Sequence, residues 1–183
     1  MASIASGWVI PRGQDAEFES LFATEYAKVV AIAFRVLADA HEAEDIAQDV
    51  FCQFYRHHSP DAPWSGAWLH RAAVNTALNH IRRTKRRTRR ESQEAVERDR
   101  FQTGAAHSLD PQAAIEQAER AREVRAALAR LPQKSAKVLA LRYSGLSYGE
   151  VAAALDVGVG QVGTLLRRAE ARLRKEIQRE TPE

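Results

Sequence analysis

The chain has 183 residues, of which 45% are hydrophobic and 28% charged, which allows one large or two small domains and excludes a globally disordered chain. Its 27 Lys and Arg residues against 24 Asp and Glu give a net charge of only +3, but the basic residues cluster in separate stretches. Such clusters indicate a polyanionic partner that is bound at defined places. The single cysteine, Cys52, excludes an internal disulfide and a zinc site of the usual ligand number.

No segment has the composition of a secretion signal or a membrane span. Residues 1–14 lack the order of basic and then apolar residues that marks a signal peptide. No apolar run approaches the length that crosses a bilayer. We therefore expect a cytoplasmic protein without membrane insertion.

In the first half, apolar residues at helical spacing predict three helices after a loose tail over residues 1–15. The first helix has an apolar face made of Phe18, Leu21, Phe22, Tyr26, Val29, Val30, Ala33, Phe34 and Leu37. The second begins near Asp39 and buries Ala43, Ile46, Ala47, Val50, Phe51 and Phe54, and we expect the Cys52 thiol to be buried as well. Pro60 and Pro63 predict a loop over residues 57–63. A third helix should run from Trp64 or Ser65 to about Arg90.

Residues 91–110 lose the hydrophobic period and predict a flexible linker between two domains. Asp110 and Pro111 are typical of a helix start, and this helix should reach Arg130 with Val124, Leu128 and Leu131 inward. A short helix to Tyr143 follows, then a Ser147–Glu150 capping box, and a last helix from about Val159 to Arg179. The predicted fold is therefore all-α, with small helical domains over residues 16–90 and 111–183.

The third helix carries a polar stripe with the chemistry of DNA binding. Its members recur every three or four residues and are Arg71, Asn75, Asn79, Arg82, Arg83 and Arg86. Asn pairs with base edges, whereas Arg contacts bases or phosphates. No acidic residue lies between Arg71 and Arg90. The alternative is an exposed basic helix end that the helix dipole favours.

Residues 147–179 predict a helix-turn-helix, although the same shape occurs in plain bundles. The last helix has an apolar stripe made of Val162, Leu166, Ala169, Leu173 and Ile177, and an opposite polar stripe made of Gln161, Thr164, Arg168, Arg172 and Lys175. Residues at the start of such a helix enter the major groove, and later basic residues hold phosphates.

The second helix presents an acidic face, whose sign is wrong for DNA. This face is either merely solvated or docks on a basic protein partner. Catalysis has no comparable support, because the six histidines lack the spacing of metal ligands and no glycine loop could hold a phosphate. We expect neither enzymatic activity nor a cofactor or metal.

Several segments in one order resemble the extracytoplasmic-function (ECF) family of bacterial RNA polymerase sigma factors. They are residues 43–51 (AEDIAQDVF), residues 68–75 (WLHRAAVN), Leu131-Pro132, residues 138–143 (VLALRY) and residues 146–152 (LSYGEVA). The resemblance spans about residues 16–180. It implies a sigma-two-like domain and a sigma-four-like domain, joined by the linker.

The resemblance also implies a function for each surface. The acidic face would bind the clamp helices of the polymerase's largest subunit through Glu44, Asp45, Gln48, Asp49 and Gln53. The third helix and the preceding loop would bind the minus-ten element and the non-template single strand through Trp64, Arg71, Asn75, Asn79, Arg82, Arg83 and Arg86. The sigma-four-like domain would bind the flap of the second-largest subunit and read the duplex minus-thirty-five element through Ser147, Tyr148, Gln161, Thr164, Leu165, Arg167, Arg168 and Arg172. An anti-sigma protein would control the chain.

The chain departs from the family pattern in both DNA-binding regions. Gly158 takes the cap position of the last helix, Gly163 stands where Lys is common, and Leu165 stands where Arg is common. The loop that would capture a flipped base is short, and Pro60 and Pro63 stand where the family often has Phe and Gly. Promoter sequence therefore does not follow from the sequence. The alternative functions are a helix-turn-helix repressor or activator that acts without polymerase and a pure interaction protein such as an adaptor.

Overall fold

A computed structural model describes residues 15–91 and 111–179, and the side chains of residues 15, 86–91, 111–115, 117 and 118 fall outside that description. The described residues form seven helices and no strand: α1 (Asp15–Leu37), α2 (Ala40–His57), α3 (Ser65–Glu91), α4 (Pro111–Arg130), α5 (Gln133–Tyr143), α6 (Tyr148–Leu155) and α7 (Val159–Gln178). The all-α prediction is confirmed there. Most of the predicted tail and linker, including Asp110, lie outside the described residues.

Helices α1, α2 and α3 pack on one another around the predicted apolar faces. Asp39 caps α2, because its side chain accepts a hydrogen bond from the backbone N–H of Glu42. The chain reverses between α1 and α2 at Ala38, whose φ of 54° lies in the left-handed region. All six residues that we predicted on the inner face of α2 are buried.

The second half builds the predicted helix-turn-helix from α6 and α7. The hydroxyl of Ser147 accepts from the backbone N–H of Glu150, and the Glu150 carboxylate accepts from the backbone N–H of Ser147, so the capping box is confirmed. Asp156 ends α6 in the left-handed conformation, and Gly158 is the N-cap of α7 without a side-chain hydrogen bond. Asp156 and Gly158 therefore bound the short turn that joins the two helices.

The two halves pack against each other, which the sequence did not predict. Helix α3 contacts α4, α5 and α6, while α1 contacts α4 and α5. Buried apolar side chains from both halves, among them Leu78 of α3 and Leu141 of α5, belong to one continuous core. A guanidinium N–H of Arg125 on α4 also donates to the carbonyl oxygen of Leu37 at the end of α1. The long helix α3 is thus partly covered by the second half.

Four predicted burials were wrong. Cys52 is exposed because it lies two residues from the buried Val50, about 200° around the helix. The same geometry places Phe34 away from the buried side of α1. Phe22 packs on Tyr26 and Phe51 but keeps one side in solvent. Val124 is exposed, and among the α4 side chains that the structure describes the buried ones, Ala127 and Leu128, lie nearer the end of the helix.

Candidate nucleic-acid and polymerase interfaces

The predicted polymerase-binding residues share one exposed face of α2. This face lies opposite the six buried residues of the helix, and the exposed members are Glu44, Asp45, Gln48, Asp49 and Gln53. Three carboxylates within two turns make the face acidic. The exposed thiol of Cys52 lies on the same side. The structure therefore brings together all the residues that the sequence assigned to this surface.

The polar stripe of α3 is divided between solvent and the second half of the chain. Nε of Arg71 donates to the carbonyl oxygen of Ala154 at 2.7 Å, and Nη2 donates to that of Ala153 at 3.3 Å. Both carbonyl groups belong to the last turn of α6, where cations are favoured. Arg71 therefore caps a helix of the other half.

A second arginine of the stripe, further along the same side of α3, makes the same kind of contact. Nη2 of Arg82 donates to the carbonyl oxygen of Leu131 at 3.1 Å, and Nε donates to that of Ala129 at 3.4 Å. These carbonyl groups lie at the turn between α4 and α5. Arg71 and Arg82 are eleven residues apart, about three helical turns, so they project from the same side of α3.

Asn75 lies on the side of α3 that carries these arginines. Its Oδ1 atom is buried and has no hydrogen-bond partner among the described residues. Asn79 and Arg83 are exposed, whereas the Arg86 side chain is not described. On α5, the pKa of Lys137 is lowered by burial and by the nearby charges of Arg71 and Arg82. Cations therefore crowd where the two halves meet.

The loop before α3 is short and packs on aromatic rings. Trp64 is 45% exposed, and its ring lies edge-on to His58 at 5.2 Å between centroids and to Phe54 at 6.4 Å. The hydroxyl of Ser65 donates to the carbonyl oxygen of Ala62 at 2.7 Å, which holds the end of the loop against the start of α3. The loop thus offers the partly exposed Trp64 ring to solvent.

The predicted duplex-reading face of α7 is open. Gln161, Thr164, Arg167 and Arg168 are exposed, while Leu165 is half-buried and packs against the core. Arg172 is exposed as well, but its Nη1 donates to the hydroxyl of Ser135 at 3.0 Å.

Two predicted contacts of the helix-turn-helix have structural roles of their own. The hydroxyl of Ser147 is engaged in the capping box. The exposed ring of Tyr148 lies under the guanidinium of Arg142, with 5.5 Å between Cζ and the ring centroid. Tyr148 therefore remains available at the surface, whereas Ser147 mainly fixes the start of α6.

Sequence reasoning missed a charged network that joins three helices. Nε2 of the buried His70 lies 2.6 Å from Oε2 of Glu25 and donates to it. Nζ of Lys28 lies 3.2 Å from Oε1 of Glu25 and 2.9 Å from Oε1 of Glu150 on α6. Only Glu150 was singled out by the sequence, through its capping box. The ion pair itself could not be predicted, because Lys28 lies 122 residues away from Glu150.

The network shifts three pKa values, of which that of Lys28 is raised, first by its hydrogen bond to Glu150. The hydrogen bond from Lys28, followed by the bond from the Ser147 backbone, lowers the pKa of Glu150 to about 2. Burial lowers the pKa of His70, although the Glu25 carboxylate opposes that shift. At neutral pH, Glu150 is therefore ionised and paired, and His70 is neutral.

The described residues were also compared with the requirements of a metal site and of a membrane-spanning helix. Within residues 15–91 and 111–179, no group of three His, Cys, Asp or Glu side chains is placed to hold a metal ion. Over the same ranges, no helix combines the length and apolarity of a bilayer span.

Comparison with known proteins places both halves in known families. Residues 21–87 match the family Sigma-70 region 2, and residues 121–173 match the family Sigma-70, region 4. The chain is 30% identical to the RNA polymerase sigma-H factor of Pseudomonas aeruginosa, over 92% of this chain and 90% of that protein. It is 28% identical to the ECF RNA polymerase sigma factor SigW of Bacillus subtilis, over 92% of each.

Two solved structures share the fold. CnrH, in complex with the cytosolic domain of CnrY, aligns with a TM-score of 0.55 at 23% identity, covering 93% of each chain. The sigma factor RpoE of Bartonella quintana, in complex with the anti-sigma factor NepR, aligns with a TM-score of 0.51 at 20% identity, covering 90% of this chain and 99% of that one.

Proposed function

The chain belongs to the ECF family of RNA polymerase sigma factors, and from this premise we propose how its surfaces divide the work of promoter recognition. Sigma factors bind core RNA polymerase and direct it to promoters. The observation that carries the proposal is the order of the two matches, with an acidic exposed face in the first and an exposed basic helix in the second. A sigma factor is not an enzyme, and we assign no catalysis to the chain. We expect it to act in the cytoplasm, where its polymerase is.

We assign core binding to residues 16–90, through the acidic face of α2. This face would meet basic clamp helices of the largest polymerase subunit, and the sigma-four-like domain would meet the flap of the second-largest. Opposite charges on the two surfaces speed association and fix its register. Asp45 and Asp49 are central to the face and are both exposed.

A charge reversal tests this assignment. D45K/D49K should weaken binding to purified core polymerase by at least about tenfold, because two favourable charges become repulsive. The matched control is E17K/E19K, which makes the same charge change at exposed positions of α1. Equal retention of core by both variants in a pull-down would remove α2 from the interface.

We assign minus-ten recognition to the loop with Trp64 and to α3. A flipped base would stack on the Trp64 ring, and Asn and Arg side chains of α3 would follow the non-template strand. Stacking on an aromatic ring contributes about 1–3 kcal/mol per base, which offsets the few kcal/mol that flipping costs.

We assign minus-thirty-five recognition to the second half, residues 111–183, and within it mainly to α7. Gln161, Thr164 and Leu165 would reach base edges from the first turns, and Arg167, Arg168 and Arg172 would hold phosphates. R167A/R168A should reduce the slope of log affinity against log salt by up to about 2. The pair Arg167 and Arg168 is preferable to Arg172, because Arg172 also bonds Ser135. An unchanged slope would mean that these arginines do not meet phosphates.

Control by an anti-sigma protein is part of the proposal. Both solved relatives of this fold were determined with a bound partner, and NepR is described as an anti-sigma factor. A protein that covers the α2 face and the α7 face together would block both functions. A purified candidate should then prevent core binding by the chain in a competition experiment.

Run-off transcription from a genomic fragment library, with core polymerase and with or without the chain, tests the whole proposal. New transcripts that start downstream of a shared motif would establish the function and give both promoter elements. A chain that fails to bind core would overturn it. Duplex binding by such a chain alone would favour a helix-turn-helix regulator instead.

A further inference from the structure

We propose that a cleft between the ends of α4 and α7 binds an oligophosphate, that is, a chain of two or three phosphate groups, either free or carried by a nucleotide. This basic cleft is lined at the α4–α5 turn by Arg130 and Leu131, and on α7 by Arg172, Lys175, Glu176 and Arg179. The inference goes beyond the proposed function, which gives the cleft no role.

The basic cleft has the dimensions of a small-molecule site. Its volume is about 510 Å³, whereas ligand-binding clefts typically measure roughly 300–1,000 Å³. The buried Leu131 and the neighbouring Pro132, which is the N-cap of α5, form an apolar wall. Most of the remaining lining side chains are cationic. The cleft therefore combines room for a compact ligand with a strong preference for anions.

The charges of the cleft indicate how many negative charges the ligand carries. Arg130, Arg172, Lys175 and Arg179 are cations, and Glu176 is the single carboxylate among the lining residues. Two helices, α4 and α7, end at the cleft, while α5 begins there, so the helix dipoles together add roughly half a negative charge. The four cations exceed these negative charges by at least about two, and an anion of two or more charges would balance them.

One carboxylate orients two of the guanidinium groups. Oε2 of Glu176 accepts from Nε of Arg130 at 3.0 Å, and Oε1 accepts from Nη1 of Arg179 at 3.2 Å. The Arg179 side chain is 77% exposed, so most of its planar fork of N–H donors faces solvent. Phosphate oxygens accept two parallel bonds from such a fork. The Glu176 contacts therefore hold guanidinium groups of two helices beside one anion site.

The cations of α7 repel one another along the wall of the cleft. Arg172, Lys175 and Arg179 are three and four residues apart, a spacing at which like charges destabilise a helix. Nη1 of Arg172 donates to the hydroxyl of Ser135 at 3.0 Å, a neutral acceptor that leaves the arginine charge unbalanced. The helix dipole favours a cation at each helix end, but it does not require the cations of α4 and α7 to share one cleft. A bound anion would relieve the repulsion.

The promoter duplex is a poor occupant of the basic cleft. At 1.5 Å per residue, Lys175 and Arg179 lie about 24 Å and about 30 Å along α7 from Val159. The major groove is only about 12 Å wide and about 8.5 Å deep. If the first turns of α7 contact base edges, the cleft therefore lies outside the groove, where a small anion has access.

Calorimetric titration of the full chain with tripolyphosphate, in buffer without divalent cations, tests the site. We expect one tripolyphosphate to bind, more tightly than sulfate at the same ionic strength. K175A/R179A should weaken this binding at least about tenfold, because two of the four cations are lost. The matched control is R122A/R174A, which removes two exposed arginines of α4 and α7 outside the cleft and should weaken it less than about threefold. No binding by the wild type, or equal losses in the two variants, would overturn the proposal.

Hydrogen exchange of the wild-type chain locates the ligand without any substitution. Tripolyphosphate should slow amide exchange over residues 130–135 and 172–179 more than over residues 159–168. Protection mainly over residues 159–168 would place the anion on the face of α7 that we assign to DNA, and would overturn the cleft assignment. Neither measurement uses polymerase or promoter DNA, so the result stands apart from that of the proposed function.

A second titration distinguishes the two sources of an oligophosphate. Adenosine and guanosine triphosphate replace tripolyphosphate under the same conditions. Tighter binding of either nucleotide would indicate that its sugar or base packs on the apolar wall of Leu131 and Pro132. Equal or tighter binding of tripolyphosphate would assign the site to the phosphate chain alone.

Discussion

Helices α3 and α7 are both predicted to bind promoter DNA, yet the structure treats them differently. Arg71 and Arg82 of α3 donate to carbonyl oxygens of the second half, whereas Arg167 and Arg168 of α7 are exposed. Asn75 on α3 is half-buried, and Gln161 on α7 is exposed. The same residue types with the same expected ligand therefore differ in availability.

This difference would suit the two ligands that we propose for these helices. A duplex is already formed and can be met by an exposed helix, as a helix-turn-helix does. A single strand exists only after melting, so its binding face is needed later. A face that is covered until then also keeps Arg and Asn away from unrelated polyanions. The comparison predicts that substitutions on α3 and α7 differ in kind as well as in size.

The largest expected effect is on promoter opening. N75A/N79A should reduce open-complex formation by at least about 30-fold, because each of the two lost base-edge contacts is worth about 1–3 kcal/mol. Permanganate reactivity of the melted region measures it, with Q178A, an exposed amide near the end of α7, as the control. Core binding should stay unchanged. An equal loss of core binding and of opening would show that α3 only supports the fold.

The next effect separates the two helices by stability. R71A should lower the free energy of unfolding by about 1–3 kcal/mol, because it removes charged hydrogen bonds to the last turn of α6. R168A removes an exposed side chain and should change it by less than about 0.5 kcal/mol. Urea denaturation of both variants makes the comparison. Equal stability would mean that the hydrogen bonds of Arg71 to α6 contribute nothing to the fold.

Helical period was enough to predict the helices and the inner face of α2. Local side-chain chemistry also gave the Asp39 region as a helix start and the Ser147–Glu150 capping box. These features depend on residues that are close in sequence, where spacing and capping are decisive. The exposed acidic face of α2 follows from the same period.

The contacts between the halves could not be predicted, because they join residues that are far apart in the sequence. Arg71 meets Ala154 across 83 residues, and no local pattern encodes such a pair. The polar stripe of α3 was correctly identified, but its division between solvent and protein depends on how α4, α5 and α6 dock. The prediction of burial also failed at Phe22 and Val124, because helical period gives the direction of a side chain and not the extent of the surface that covers it. The DNA contacts of both helices stay predictions.

A smaller effect on stability is expected from the helix propensity of α7. Gly163 lies inside the helix, and an added Cβ would meet Cε2 of Tyr148 at 3.8 Å, an ordinary contact. G163A should therefore raise the free energy of unfolding by up to about 1 kcal/mol, through helix propensity. Thermal unfolding measures it, with G160A in the first turn of α7 as a comparison that meets no atom within 4 Å. A loss of stability at position 163 would show that the turn toward α6 has no room.

The smallest expected effect is on the pH dependence of stability, and it tests whether the buried side of α3 is tied to α1. Burial lowers the pKa of His70 below its ordinary value of 6.5, so the unfolded chain binds the proton more readily than the folded one. His70 therefore makes stability fall as pH drops through 6.5 toward the lower folded-state pKa, and it has no such effect well above 6.5. Glu25, Lys28 and Glu150 are the charged groups around it, and among them Glu150 has its pKa lowered to about 2, far below this window.

H70Q keeps a hydrogen-bond donor for Glu25 but cannot titrate, so its free energy of unfolding should vary less than that of the wild type between about pH 7.5 and about pH 5.5. H80Q is the control, because His80 also lies on α3 and is partly exposed beside Glu42, 3.6 Å away. Urea denaturation at several pH values compares the three proteins. A wild-type profile retained by H70Q would place the titrating group elsewhere. A flattened profile in H70Q alone would tie the pH response to the Glu25–His70 contact. This contact lies beside the Lys28–Glu150 ion pair and involves no residue of α7.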